Sequence, residues 1–180
     1  MEYEEIIVEL NKMVSWNNFA ASLIGQYHRK GDLSEKQWDA AERTILNTRK
    51  SLDRRESLTR DVDVSAIQSL LVTAQVKRPV FRAADLAFSL APSNGKNAGA
   101  VYVKRGPEYQ GKIMGGKFMP ISSCHSDTAD AVVRVSANPR AEAVKHGKVT
   151  GRCSCCGREL TDEVSIEMGI GPVCATKWGL

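Results

Sequence analysis

Four of the chain's five cysteines, Cys153, Cys155, Cys156 and Cys174, fall within its last 28 residues. Cys153 and Cys156 form a C-x-x-C pair followed directly by Gly157. Two thiolates three positions apart on a tight turn can both reach one ion at about 2.3 Å. A glycine after them lets the chain fold under the metal, where a side chain would obstruct it. Downstream, Gly171-Pro172 reads as a helix start, with proline at its favoured first position. That places Cys174 at a helix N-terminus, where the dipole favours a thiolate. Knuckle, short hairpin and helix-borne ligand together have the logic of a treble-clef zinc module. Soft thiolates at this spacing select zinc over magnesium or calcium. The fourth ligand stays open. A second C-x-x-C would need a cysteine at 177, where Lys177 stands. Cys155, His146, His125 and Cys124 are the candidates, with Asp162, Glu163 or a water as further ones. A redox-active C-x-x-C is disfavoured because no βαβ pattern precedes it.

The rest of the chain is ordinary globular material. Of its 180 residues, 42% are hydrophobic and 26% charged, which excludes a disordered, collagenous or coiled-coil chain. No apolar run reaches the roughly 18 residues that a bilayer demands, so no membrane partner is expected. The start, with Glu2, Glu4 and Glu5, is acidic where a secretory signal is basic. The expected compartment is the cytoplasm, where cysteines bind metal more readily than they form disulfides.

The N-terminal sixty residues read as a helical hairpin. Ile6, Leu10, Met13, Trp16, Ala20, Leu23 and Tyr27 recur at three- and four-residue spacing, one apolar stripe. Ser15 and Asn17-Asn18 can divide the stretch, and Gly31 suits the left-handed residue closing it. Ser34 with Gln37 predicts a capping box, flanked by Leu33 and Trp38 at the staple positions. A second helix then runs through Ala41 and Ile45 toward Leu52. Asp63 or Ser65 caps a short helix carrying Ile67, Leu70 and Leu71.

From Val80 the period changes to two. Leu86, Phe88 and Leu90 form one strand, Val101–Val103 a second and Lys112–Met114 a third, separated by turn residues. This predicts a small antiparallel meander. Val132–Val135 fits a strand or a helix. Asn138-Pro139 opens a helix that Gly147 is expected to close. The fold class is therefore α+β, with a helical hairpin over residues 1–60, a middle region over 61–149 and a zinc module over 150–180.

Charge marks the middle region. Between residues 76 and 120 eight basic residues face two acids, an excess of six. A basic stretch invites an acidic partner, most often nucleic acid. On a strand alternate side chains share a face, so Tyr102 and Lys104 point together, opposite Val101 and Val103. The expected contacts are Lys104, Arg105, Lys112 and Lys117 to the backbone of single-stranded DNA, with Tyr102 or Tyr109 stacking on bases.

The motifs C-x-x-C-G-R at Cys153–Arg158 and G-I-G-P-x-C at Gly169–Cys174 resemble an uncharacterised cysteine-motif family, found mostly in bacteriophage proteins and sometimes fused to helicase-like regions. Phe19-Ala20, Ser22-Leu23, Gln26-Tyr27, Gly31, Leu33-Ser34, Lys36-Gln37, Tyr109, Gly111–Ile113 and Asn138-Pro139 are similar to segments such phage proteins carry upstream. The family's cysteine positions fall on Cys153, Cys156 and Cys174, and Cys155 matches none. The resemblance implies a phage origin and a zinc-binding fold, and no activity.

Catalytic signatures are missing. The chain has three histidines, no H-E-x-x-H, no P-loop and no G-x-S-x-G elbow. The expectation is a non-enzymatic phage accessory protein with structural zinc, binding nucleic acid in replication, recombination or transcription takeover. The alternative is a protein-binding module that inhibits or redirects a host enzyme such as a polymerase or defence factor.

Overall fold

A computed structural model describes residues 1–180, which form two compact units, Met1–Arg54 and Arg55–Leu180. The first unit is helical. Helix α1 (Tyr3–Asn11) stops before Asn17, whose side chain caps α2 (Asn18–Lys30) by accepting from the Phe19 and Ala20 amides at 3.0 and 3.1 Å. The apolar stripe is thus cut in two. Ile6, Leu10, Met13, Ala20 and Leu23 are buried, but Trp16 sits in the turn between the helices, outside helical phase, and is 60% exposed. Gly31 closes α2 at φ 79°.

Helix α3 (Glu35–Leu58) is longer than the stripe predicts, and Leu52 on it is exposed. The capping box at its start forms only in part. The Ser34 amide donates to Gln37 Oε1 at 3.0 Å, but the Ser34 hydroxyl turns to that same oxygen. Trp38 is buried and stacks on Tyr3, ring centroids 4.4 Å apart, with Tyr27 edge-on at 6.0 Å. Its indole N–H donates to Asp32 Oδ1 at 3.1 Å, so the burial leaves no orphaned donor.

The second unit is built on a six-stranded antiparallel sheet. Its strands are β1 (Arg60–Asp61), β2 (Val80–Ala83), β3 (Leu86–Leu90), β4 (Val101–Arg105), β5 (Glu108–Met114) and β6 (Lys117–Pro120), in the order β1-β6-β5-β4-β3-β2. The meander is as expected from the sequence. It gains β1, β2 and β6, each of four residues or fewer and too short to display a period, and β5 starts four residues earlier than its apolar end suggests. Phe81, Phe88, Val101, Val103, Ile113 and Phe118 project to one buried face. They share a core with Ile67 and Leu71 of α4 (Ser65–Thr73) and with Val132 and Val135 of α5 (Thr128–Ala137). The segment around Val132 is therefore a helix. Burial of Ala129, Ala131, Val132 and Val135 follows a helical period, not alternation.

A bulge lies between Val103 and Lys104, opposite Gly111 at φ 155°. A Cβ on Gly111 would collide with the Met119 carbonyl, so the close approach of β6 requires glycine there. Helix α6 (Pro139–Thr150) begins at the Asn138 cap, as its sequence indicates. Gly147 does not end it. The helix runs on to Thr150 and Gly151 closes it at φ 64°. Gly147 instead forms a flat spot where Gly169 packs, and a Cβ on Gly147 would collide with the Gly169 Cα. Gly169 follows α7 (Glu163–Met168), and α8 (Pro172–Trp178) ends the fold. Trp178 is buried, 6.4 Å from the Phe81 ring.

Candidate functional site

The cysteine turn is shaped by its backbone. The Cys153 amide donates to the Arg158 carbonyl at 2.9 Å and the Gly157 amide to the Cys153 carbonyl at 2.8 Å, with Gly157 at φ 74°. A bridge between Arg152 and Glu159 begins a short hairpin. Asp162 then caps α7, its Oδ2 accepting from the Ser165 amide and hydroxyl, each at 3.0 Å. Gly171 and Pro172 start α8, and Cys174 stands in its first turn.

These elements bring the sulfurs of Cys153, Cys156 and Cys174 within 4.8 Å of one another, a group that can hold a metal ion. Sulfurs at 2.3 Å from a tetrahedral zinc lie about 3.8 Å apart. The three side chains therefore need close in by only about 1 Å. Their electrostatics fit a cation. A hydrogen bond from the Cys155 thiol, aided by the amides of Cys156, Gly171 and Cys155, holds Cys153 at about 4 against the opposing effect of burial. Burial first, then the hydrogen bond with Cys156 and the charge on Cys153, pushes Cys174 up to about 12. Three thiolates this close repel one another without a positive charge among them, and a divalent ion supplies it.

None of the four named candidates for a fourth ligand joins this group. Cys155 is buried outside the group of three sulfurs, and its neighbour Cys153, then burial, pushes its thiol up. Cys124 and His125 lie on the segment between β6 and α5. There His125 Nε2 is 3.3 Å from Glu108, and its amide donates to the buried Gln110 side chain at 2.9 Å. His146, on α6, lines a separate pocket of about 140 Å³ with Ala84, Asp85 and Glu142. Burial lowers its pKa. Asp162 spends its carboxylate on the α7 cap.

Arg82 supports the turn and gives no signal in the sequence. Its amide donates to the Ser154 carbonyl and its Nη1 to the Cys155 carbonyl, both at 2.7 Å. The hydroxyl of Ser154, 3.4 Å from the Ala143 carbonyl, faces α6. From the sequence Asp162 reads only as a possible ligand, yet its D-x-x-S spacing to Ser165 is a helix-cap signal that could have marked its supporting role.

On the sheet, Tyr102 and Lys104 alternate with buried Val101 and Val103, and Tyr102 pairs across to Lys112. The bulge sets Lys104 opposite Tyr109, and the two tyrosine rings meet edge to face at 5.7 Å. Lys112 donates to Asn97 Oδ1, and Asn97 Nδ2 donates to the Tyr102 hydroxyl at 3.2 Å. Arg105 is set apart. Its guanidinium is 2.9 Å from Asp127 and 3.3 Å from Thr128, tying β4 to the start of α5. Lys117 is 4.0 Å from Asp61 on β1.

Residues 143–179 match a family of unknown function, DUF6011. The match takes in most of α6 and all three clustered cysteines. No curated protein and no solved structure matches the chain. No helix is long and apolar enough to cross a membrane.

Proposed function

We propose that the chain binds zinc through Cys153, Cys156 and Cys174 and binds single-stranded nucleic acid on the face of the sheet opposite its core. The observation that carries the second half is one patch in which Tyr102, Tyr109, Lys104 and Lys112 lie on neighbouring strands, half-buried or exposed. Rings in such a patch stack on bases, and the amines beside them follow the phosphates. Lys117 extends the charge toward β6, next to exposed Met119. Arg105 has a smaller part, because its charge is engaged by Asp127. The cysteine module has a structural role in this reading, and zinc suits its three soft donors. The resemblance of the motif to phage proteins supports an accessory role in phage replication, recombination or transcription takeover.

Fluorescence anisotropy with labelled single- and double-stranded oligonucleotides, across a salt series, tests the reading. Each neutralised phosphate contributes about 0.7 to the log–log salt slope on a single strand. Replacing Lys104, Lys112 and Lys117 by Ala therefore flattens the slope by about 2. Tyr102→Ala weakens binding with little change in slope. No binding at low salt overturns the proposal in favour of a protein partner.

A further inference from the structure

The three clustered sulfurs open onto a cleft of about 580 Å³. Its walls include Val76, Leu160, Pro172 and Val173, with Lys177 and Arg158 as cationic members. That volume lies within the range of small-molecule sites, which are concave and mostly apolar with a few polar groups. A structural zinc site is closed by four protein donors, whereas a site that exchanges ligands keeps one position open. Here no other cysteine, histidine or carboxylate of the chain joins the three sulfurs. Cys155 is buried outside the group of three sulfurs, Asp162 caps α7, Glu163 is exposed on α7, His146 lines the pocket beside Asp85, and Cys124 and His125 lie on the segment between β6 and α5. Glu159 lines the cleft, but as an exposed residue at the mouth of the hairpin.

We infer that the chain supplies three thiolates to the metal and leaves the fourth position to a small soft or borderline donor from outside the chain, a thiolate or an imidazole, seated in this cleft. The inference rests on the zinc reading and goes beyond it. It makes the centre a ligand-binding site as well as a brace. The apolar walls take the body of such a molecule, and Lys177 and Arg158 offset the negative charge that three or four thiolates bring to a divalent ion.

Cobalt-substituted full-length protein tests this by its visible absorption, which reports the donor set without any activity assay. Metal content is measured first. If neither zinc nor cobalt is taken up, the zinc reading fails and this inference with it. With one cobalt per chain, titration with 2-mercaptoethanol or imidazole is expected to shift the d–d bands saturably, the metal remaining on the protein through gel filtration. Glu159→Gln, His146→Gln and Asp162→Asn are expected to leave the starting spectrum unchanged, and asparagine at 162 still caps α7. Bands indifferent to both additives in a cobalt-loaded protein overturn the inference while the metal site stands. A changed starting spectrum in any of the three variants does the same, by identifying a protein donor at the fourth position.

Discussion

Between Met1 and Arg54 ten apolar side chains, from Ile6 to Ile45, are buried in one cluster with a Tyr3–Trp38–Tyr27 aromatic group at its edge. Between residues 150 and 180 the large buried apolar side chains are Leu160, Ile170 and Trp178, beside the small Cys153 and Cys155. The first region is held by area removed from water, at roughly 1.5–3 kcal/mol for each large side chain. The second has too few such side chains for its length. It relies on glycines that let backbones touch, on Arg82, and on three sulfurs gathered at one point. One chain thus contains two ways of specifying structure, and they fail differently. A packed cluster loses stability in increments, whereas a turn braced by the proposed metal would lose it all at once.

The largest effect should come from the cysteines. Structural zinc contributes on the order of 10–16 kcal/mol of apparent binding energy near neutral pH. On the zinc reading proposed above, Cys156→Ser or a chelator should abolish hydrogen-exchange protection in residues 150–180 and leave that of Met1–Arg54 intact. Equal loss in both regions would break the comparison.

Next comes steric contact against packing. Trp38→Ala should cost about 3–5 kcal/mol, through lost area and the cavity left behind. Gly147→Ala should cost about 3 kcal/mol or less by overpacking against Gly169, near the cysteine turn. Denaturant unfolding followed by peptide-resolved exchange should place the first loss in Met1–Arg54 and the second in residues 139–180.

The smallest test separates two caps. Asn17 accepts two backbone amides, so Asn17→Ala should cost about 1 kcal/mol. The Ser34 hydroxyl bonds only to Gln37, so Ser34→Ala should cost less than half of that in the same thermal melts.

Legibility followed the same division. Short-range chemistry was readable. The Asn17 break, the left-handed Gly31, the Asn138-Pro139 start and the alternation of Val101–Lys104 all act within a few residues of themselves. The gathering of Cys153, Cys156 and Cys174 was readable too, although Cys174 is 18 residues beyond Cys156, because a tight turn and a helix start fix where each sulfur points. Features that depend on distant partners were not readable. Trp16 matched the stripe by spacing, and only the early end of α1 puts it in solvent. Gly147 looked like a helix terminator, since nothing local says that Gly169 will lie against it. Arg82 read as one more surface cation, yet it holds the backbone of a turn 73 residues away. The engagement of Arg105 by Asp127 was hidden in the same way.

The amide of Arg82 has one more consequence. It belongs to β2, the last strand of the sheet, and its partner is Ser154, so the cysteine turn occupies part of a border that other chains could otherwise extend. The opposite border, β1, is two residues long and both are charged, which protects it without help. If the three cysteines hold zinc as proposed, stripping it would do more than loosen a small module. It would free the Arg82 amide on this border strand for the strands of neighbouring molecules, making self-association the expected failure of the metal-free protein.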